Sequence, residues 1–271
     1  MKRIVASLSA LFLLATAVQA AEIKPLRVLL VTGGCCHDYA KQKDILKQGL
    51  EARAHVVVDH VHTDDKSTKA RFAIYESPNW AEGYDVVIHD ECSADVKELP
   101  YVENILTAHK KVPAVNLHCA MHSYRTGNDD WFKFVGIQSS RHGPKKPIDV
   151  TYVERSHPVA KPLENWTTIN EELYNNLNVF GTATPLARGK QGDEDCVVAW
   201  VNQYGTTRVF STTLGHENNT VADPRYLDLV TRGLLWSCDK LNDDYLKPAP
   251  PAAPAAPQPQ PTPATPKPAA K

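Results

Sequence analysis

The feature that most constrains the fold of this chain is Leu26 to Thr32, LRVLLVT, a near-continuous run of branched apolar residues that ends in Gly33-Gly34-Cys35-Cys36-His37-Asp38. A strand with one wet face alternates, whereas an unbroken apolar run must be covered on both faces, the habit of parallel sheets sandwiched between helices. The glycine pair lets the backbone turn tightly and approach a ligand closely. The spacing lacks GxGxxG, so no nucleotide cofactor is expected. Asp38 stands where it can cap the next helix, whose apolar stripe is Ile45, Leu46 and Leu50.

The pattern then repeats. Strands are expected at His55 to Val61, Tyr84 to His89 and Pro113 to Leu117. Thr63 to Pro78 reads as a polar loop, with Trp80 folded back onto the core. A helix from about Ala94 to Lys110 carries Val96, Leu99, Val102, Ile105 and Leu106. Strands alternating with helices imply a parallel sheet with right-handed crossovers. After Pro113 to Leu117 the small residues suit a sharp turn into a helix, with His118 at the bend. Ligands in such folds collect outside the carboxyl ends of strands, so His118 faces a cleft. Beyond Asp130 the texture changes: WFKFVG is apolar and aromatic, SSRHGPKKP is a loop, and Ile148 to Glu154 alternates like a strand. Cys196 to Val201 and Thr207 to Thr213 form a hairpin around Gly205, and Pro224 to Ser237 closes the chain as a helix. The expected fold class is α/β, a three-layer, mostly parallel sheet flanked by helices, with a β-hairpin near the C-terminus.

Residues 1–20, MKRIVASLSALFLLATAVQA, pair Lys2 and Arg3 with an apolar segment and a V-Q-A ending. Spanning a membrane takes roughly 20 apolar residues, so this is expected to be a cleaved export signal that leaves no transmembrane segment and sends the protein to the periplasm or outside the cell. Residues 247–271, with ten prolines from Pro248 onward, cannot bury a core and are expected to form an extended tail, a spacer or partner ligand. Residues 23–246 are read as one domain. A formal net charge of −1 provides no basic field, which excludes nucleic acid as a partner. The six cysteines, at 35, 36, 92, 119, 196 and 238, follow no CxxC spacing. Adjacent Cys35 and Cys36 could bridge only through strained geometry, so no bond is expected between them.

Three strand ends carry the same device: Gly33-Gly34 before His37, the bend at His118, and Gly215 before His216. Imidazoles at the ends of separate strands converge in space, and imidazole is both the common ligand of Zn²⁺ and the common general base near neutral pH. His142 in the loop and Glu171 or Glu172 complete a set able to leave one metal position open. The metal set is therefore His37, His118, His142, Glu172 and His216, for a divalent cation with zinc foremost; His118, His216 and Glu172 are the catalytic candidates. Tyr124, Trp131, Arg141 and Asp38 are assigned to substrate binding. His55, His60, His62, His109 and His157 are read as ordinary surface or hydrogen-bonding histidines. His122 lies four residues from His118, yet the segment lacks the glutamate of HExxH, which makes it a weak ligand candidate. Cys119, with His122 or His216 as base, is a rival nucleophile, although a buried inert thiol is its expected fate.

Taken together, RVLLVTGG with His37-Asp38, VNLHCA, FVGIQSSRHGP, HPVAKPLENW followed by NEELY, and RVFSTTLGH followed by GLLW resemble the ThuA-like (trehalose-utilisation) family from about Leu26 to Ser237. That resemblance implies a class I glutamine amidotransferase-like (flavodoxin-like) fold and a role in carbohydrate metabolism on disaccharides or keto-sugar derivatives. Where amidotransferases carry the nucleophilic cysteine, this chain has His118, so glutamine hydrolysis is not expected. Two positions depart from the family pattern: Glu171 replaces the first acid of DELY, and Asn116 replaces the glycine before Leu117-His118. The leading expectation is an exported, metal-assisted sugar-processing protein, free or as a homo-oligomer. The alternatives are a non-catalytic carbohydrate-binding or envelope interaction module, and a cysteine-dependent hydrolase.

Overall fold

Covering LRVLLVT on both sides fixes the architecture. In the computed structural model, which describes residues 23–248, it forms β1 (Leu26–Gly34). The other elements are α1 (Tyr39–Arg53), β2 (Val56–Thr63), β3 (Val86–Cys92), α2 (Leu99–Ala108), β4 (Ala114–Leu117), α3 (Asp130–Val135), β5 (Ile137–Gln138), β6 (Asp149–Tyr152), β7 (Trp166–Thr167), β8 (Asn178–Val179), β9 (Ala183–Gln191), β10 (Glu194–Tyr204), β11 (Thr207–Thr212), α4 (Asn218–Val221) and α5 (Pro224–Ser237). The main sheet has nine strands in the order β2-β1-β3-β4-β11-β10-β9-β6-β7. From β2 to β11 every pairing is parallel, and from β11 to β7 every pairing is antiparallel. Alternate residues of β1 enter opposite layers: Val28 and Leu30 pack with Leu46 and Leu50 of α1 and with Val230 and Leu234 of α5. Leu29 and Val31 pack with Val102 and Ile105 of α2 and with Trp131 and Phe134 of α3. The expected three-layer, mostly parallel fold is the one observed, including the hairpin of β10 and β11 through Gly205.

Several local expectations need correction. The helix expected from Ala94 begins only at Leu99, because Pro100, with its fixed φ and missing N–H, suits the first turn of a helix. Val96 is buried ahead of that helix, whereas Leu99 is 42% exposed and does not join the stripe. Asp38 occupies the cap position of α1, but its carboxylate makes no cap bond and instead accepts from Asn218 Nδ2 at 2.7 Å. After β4 the chain makes one 3-10 turn, His118–His122, buried throughout, in place of an α-helix. β9 is absent from the sequence reading because Pro185 and register shifts against β10 break any clean alternation. The export signal expected over residues 1–20 and the tail expected over residues 247–271, apart from its first two residues, lie outside the described residues. Among the described residues no helix is long and apolar enough to cross a membrane.

The glycine pair serves the sheet as much as any ligand. Gly34 has φ +95°, and a Cβ there would overlap the carbonyl of Cys92 on β3. Gly192 has φ +63° with nothing near its missing Cβ. Gly34→Ala should therefore cost about 3 kcal/mol in urea unfolding, against about 1 kcal/mol for Gly192→Ala. Equal losses would contradict this packing.

Candidate active site

The parallel half of the sheet sends the ends of β1, β4 and β11 to one edge, and the imidazoles follow. His118 is the first residue past β4 and has φ +42°, a left-handed conformation that costs a non-glycine residue energy and tends to persist at functional sites. Its Nδ1 lies 2.6 Å from the Thr213 carbonyl just beyond β11. An N–H donated there leaves the lone pair on Nε2, which faces His37 Nε2 at 3.1 Å and the Tyr174 hydroxyl at 3.2 Å. His37, in the loop after β1, rests its Nδ1 on the Tyr39 hydroxyl at 3.0 Å. Asn116, two residues before the bend, is buried in the sheet and donates from Nδ2 to Ser211 Oγ at 3.1 Å.

The acid pair reaches the same edge from the other half of the protein. Glu171 is wholly buried, and its carboxylate accepts from the backbone N–H groups of Gly215, His216 and Glu217 at 3.3, 3.1 and 3.2 Å. Those bonds fix the loop that carries His216. At Gly215, φ is +119° and a Cβ would meet the Tyr226 hydroxyl at 2.7 Å, so the loop passes over α5 without a side chain. Glu172, next in sequence, turns to the imidazoles. Its Oε1 lies 3.2 Å from His216 Nε2 and its Oε2 lies 3.7 Å from His118 Nε2.

One donor atom each from His37, His118, Glu172 and His216 thus falls within 4.8 Å of the other three. Three inward nitrogens and a carboxylate match the donor chemistry of zinc and related divalent ions. Electrostatics prepares them. Burial, reinforced by the neighbouring charges of His118 and His216, lowers His37 to about 2, so it stays neutral with a lone pair available. Burial alone would raise Glu172, but hydrogen bonds and charge from His118 and His216 outweigh it and hold the carboxyl well below its ordinary range. For His216 burial works downward, and the bond to Glu172 overcomes it, leaving the imidazole raised.

Of the expected ligands, His142 alone stands apart. It is exposed at the rim, where its ring stacks on Tyr174 and its Nδ1 lies 2.9 Å from the Gly143 carbonyl; of the four donors it approaches Glu172, with Nδ1 3.5 Å from Oε1. Arg141 lines a neighbouring cavity of about 300 Å³ together with His142, Lys146, Asn175 and Gln191. Asp38 lines a second cavity of about 300 Å³ with His37, Tyr39 and His62. Tyr124 and Trp131, expected to line the pocket, are instead fully buried: the Tyr124 hydroxyl donates to Glu91 Oε1 and Trp131 Nε1 donates to the Ala120 carbonyl. Tyr124 has φ +53°, which turns its ring inward under α2. His122 bonds Ser139 Oγ at 2.8 Å and stacks on Tyr174 with ring centroids 4.0 Å apart, away from the donor set. Cys119 is buried, as expected, but bonded to Cys92, and Cys35 is bonded to Cys36 against expectation. The roles of Glu171, Tyr174 and Thr213 in positioning the imidazoles have no signal in residue spacing, because each acts through contacts made only in the folded chain.

The ThuA family, described as trehalose utilisation, matches residues 27–237. Solved structures of similar fold include a ThuA-like protein of Parabacteroides merdae, 19% identical with TM-score 0.62, covering 79% of this chain and 90% of that one. A ThuA-like protein of Bacteroides uniformis is 15% identical with TM-score 0.61, covering 82% and 95%. A cytoplasmic protein of Salmonella typhimurium LT2 is 11% identical with TM-score 0.51, covering 79% and 98%. No curated protein matches the chain.

The opposed shifts predict an NMR titration of metal-free protein. His216 should protonate above the ordinary imidazole range, while His37 stays neutral until far into acid. Because the His216 value is raised on folding, its ion pair with Glu172 stabilises below the ordinary imidazole value and fades as pH rises through the raised one. A His37 ring that titrates with the exposed histidines would contradict the burial described here.

Proposed function

The chain belongs to the trehalose-utilisation (ThuA) family, and from that premise we propose that it is an exported sugar-processing enzyme whose cleft holds one divalent cation, zinc foremost. The observation that carries the reading is the meeting of His37, His118, Glu172 and His216, with donor atoms within 4.8 Å of one another, at the edge where parallel strands end. Export rests on the character of residues 1–20. The substrate class, a disaccharide or its keto derivative, rests on the family together with the hydrogen-bonding side chains, Arg141 and Asn175 in one and Asp38 and His62 in the other, that line the two neighbouring cavities.

A cation held by these four residues would polarise a sugar hydroxyl or carbonyl, or acidify a water. The remaining work falls to the chain. The Thr213 carbonyl and Tyr39 hydroxyl orient His118 and His37 from behind, as outer partners of metal-binding imidazoles do. Glu171 holds the His216 loop against displacement when substrate enters. His142, exposed beside Glu172 and outside the donor set, is placed to exchange a proton with a sugar hydroxyl. Arg141 and Asp38, each lining one of the two neighbouring cavities, offer a donor and an acceptor for the ring hydroxyls.

Calorimetric titration of metal-stripped protein with Zn²⁺ should show one equivalent per chain, with affinity about 100-fold weaker or worse in His216→Ala and Glu172→Gln. A panel of native and 3-keto disaccharides should show turnover that chelator abolishes and zinc restores. Sugar binding without turnover, in protein that takes up no cation, would contradict the proposal and favour a binding module. His142→Ala should keep the cation and lose about 100-fold or more in kcat; loss of the cation would move His142 into the donor set.

A further inference from the structure

Beside the imidazoles lies a second cluster for which the proposed sugar chemistry has no use. Gly34 on β1 pairs in register with Cys92 on β3, which brings Cys35 alongside Cys92. Cys119 follows His118 on the turn after β4. Four sulfurs from three strand ends therefore share one place. Cys35 is bonded to Cys36, and Cys92 to Cys119. Across the two pairs, Cys35 Sγ lies 3.3 Å from Cys92 Sγ, so the bridges touch. Their exposure is unequal: Cys35, Cys92 and Cys119 are 7%, 3% and 6% exposed, whereas Cys36 is on the surface.

Disulfides exchange when a thiolate attacks one sulfur of a bridge, and the sulfur that can be reached decides the order of events. We propose that Cys35, Cys36, Cys92 and Cys119 form a thiol–disulfide exchange centre that carries reducing equivalents from a dithiol at the surface to Cys119 beside His118. One thiolate of the dithiol attacks Cys36 Sγ, the accessible end of the first bridge. The Cys35–Cys36 bond breaks, a mixed disulfide forms at Cys36, and Cys35 leaves as a thiolate. Cys35 Sγ then attacks its neighbour Cys92 Sγ; the Cys92–Cys119 bond breaks, a Cys35–Cys92 bond forms, and Cys119 leaves and takes up a proton. The second thiol of the dithiol attacks the mixed disulfide, departs as a cyclic disulfide and leaves Cys36 as a thiol. The dithiol is oxidised by two electrons, and the protein gains two electrons and two protons.

The outcome changes what the bridges connect. The two starting bonds join neighbours in sequence and tie β3 to the turn after β4, whereas the new bond ties β1 to β3. It also frees Cys36 and Cys119, which flank His37 and His118 in sequence. The exchange reaches both imidazoles through the backbone whether or not they hold a cation.

The test uses the full chain in its oxidised form, treated without oxygen with one equivalent of dithiothreitol, quenched in acid, alkylated and mapped by mass spectrometry. Untreated protein should show no label on any of the four cysteines. The two-electron product should carry label on Cys36 and Cys119 and contain a Cys35–Cys92 bond. Label on Cys35 and Cys36 with Cys92–Cys119 intact, label on Cys92 and Cys119 with Cys35–Cys36 intact, or all four labelled together would each overturn the proposal. Two variants read the middle step separately. Cys36→Ser begins with Cys35 as a thiol, and Cys119 should become labelled with no reductant added. Cys35→Ser lacks the relaying sulfur, and dithiothreitol should expose Cys119 at least about tenfold more slowly than in wild type; an equal rate would overturn the relay.

Discussion

Everything chemical in this protein depends on parallel strands ending together. A parallel ladder forces its strands to point the same way, so β1, β4 and β11 deliver their following residues to a single edge. His37, His118 and His216, up to 179 positions apart, are brought to the same edge by that ladder. The antiparallel strands that continue the sheet are the second requirement. They support the segment from which Glu171 reaches back, and its buried carboxylate accepts three consecutive backbone N–H groups. Charge-assisted bonds of this kind are worth roughly 1.5–3 kcal/mol each, and breaking them would leave a buried charge unpaired. Glu171 and Glu172 therefore divide the labour: one sets the loop, the other meets the imidazoles.

The sequence made some of this legible for a physical reason. A strand covered on both faces announces itself as LRVLLVT or DVVIH, and a glycine or bend after it marks where the chain leaves the sheet. His37, His118 and His216 sit at those marks, so their convergence follows from topology. α5 is equally clear, since Pro224 and a strong apolar stripe define it.

Other parts resisted because their meaning lies in tertiary contacts. Tyr124 and Trp131 stand beside the bend in sequence, but positive φ at Tyr124 and the 3-10 turn before it send both rings into the layer under α2. β9 has a proline and register shifts, and it is held by β10 and β6 more than by its own pattern. His142 belongs to a loop whose reach no spacing reveals. The cysteines resist for a related reason: adjacency argues against a Cys35–Cys36 bond, while only the register of β1 against β3 shows that Cys92 lies against that pair.

Two donor clusters thus lie side by side, one of nitrogen and oxygen, the other of sulfur, and the account assigns the cation to the first. X-ray absorption at the zinc edge of zinc-loaded protein measures that assignment directly. The account predicts a shell of nitrogen and oxygen at about 2.0–2.1 Å, with imidazole scattering and no sulfur. A shell of sulfur at about 2.3 Å, or zinc that washes off the protein, would contradict it.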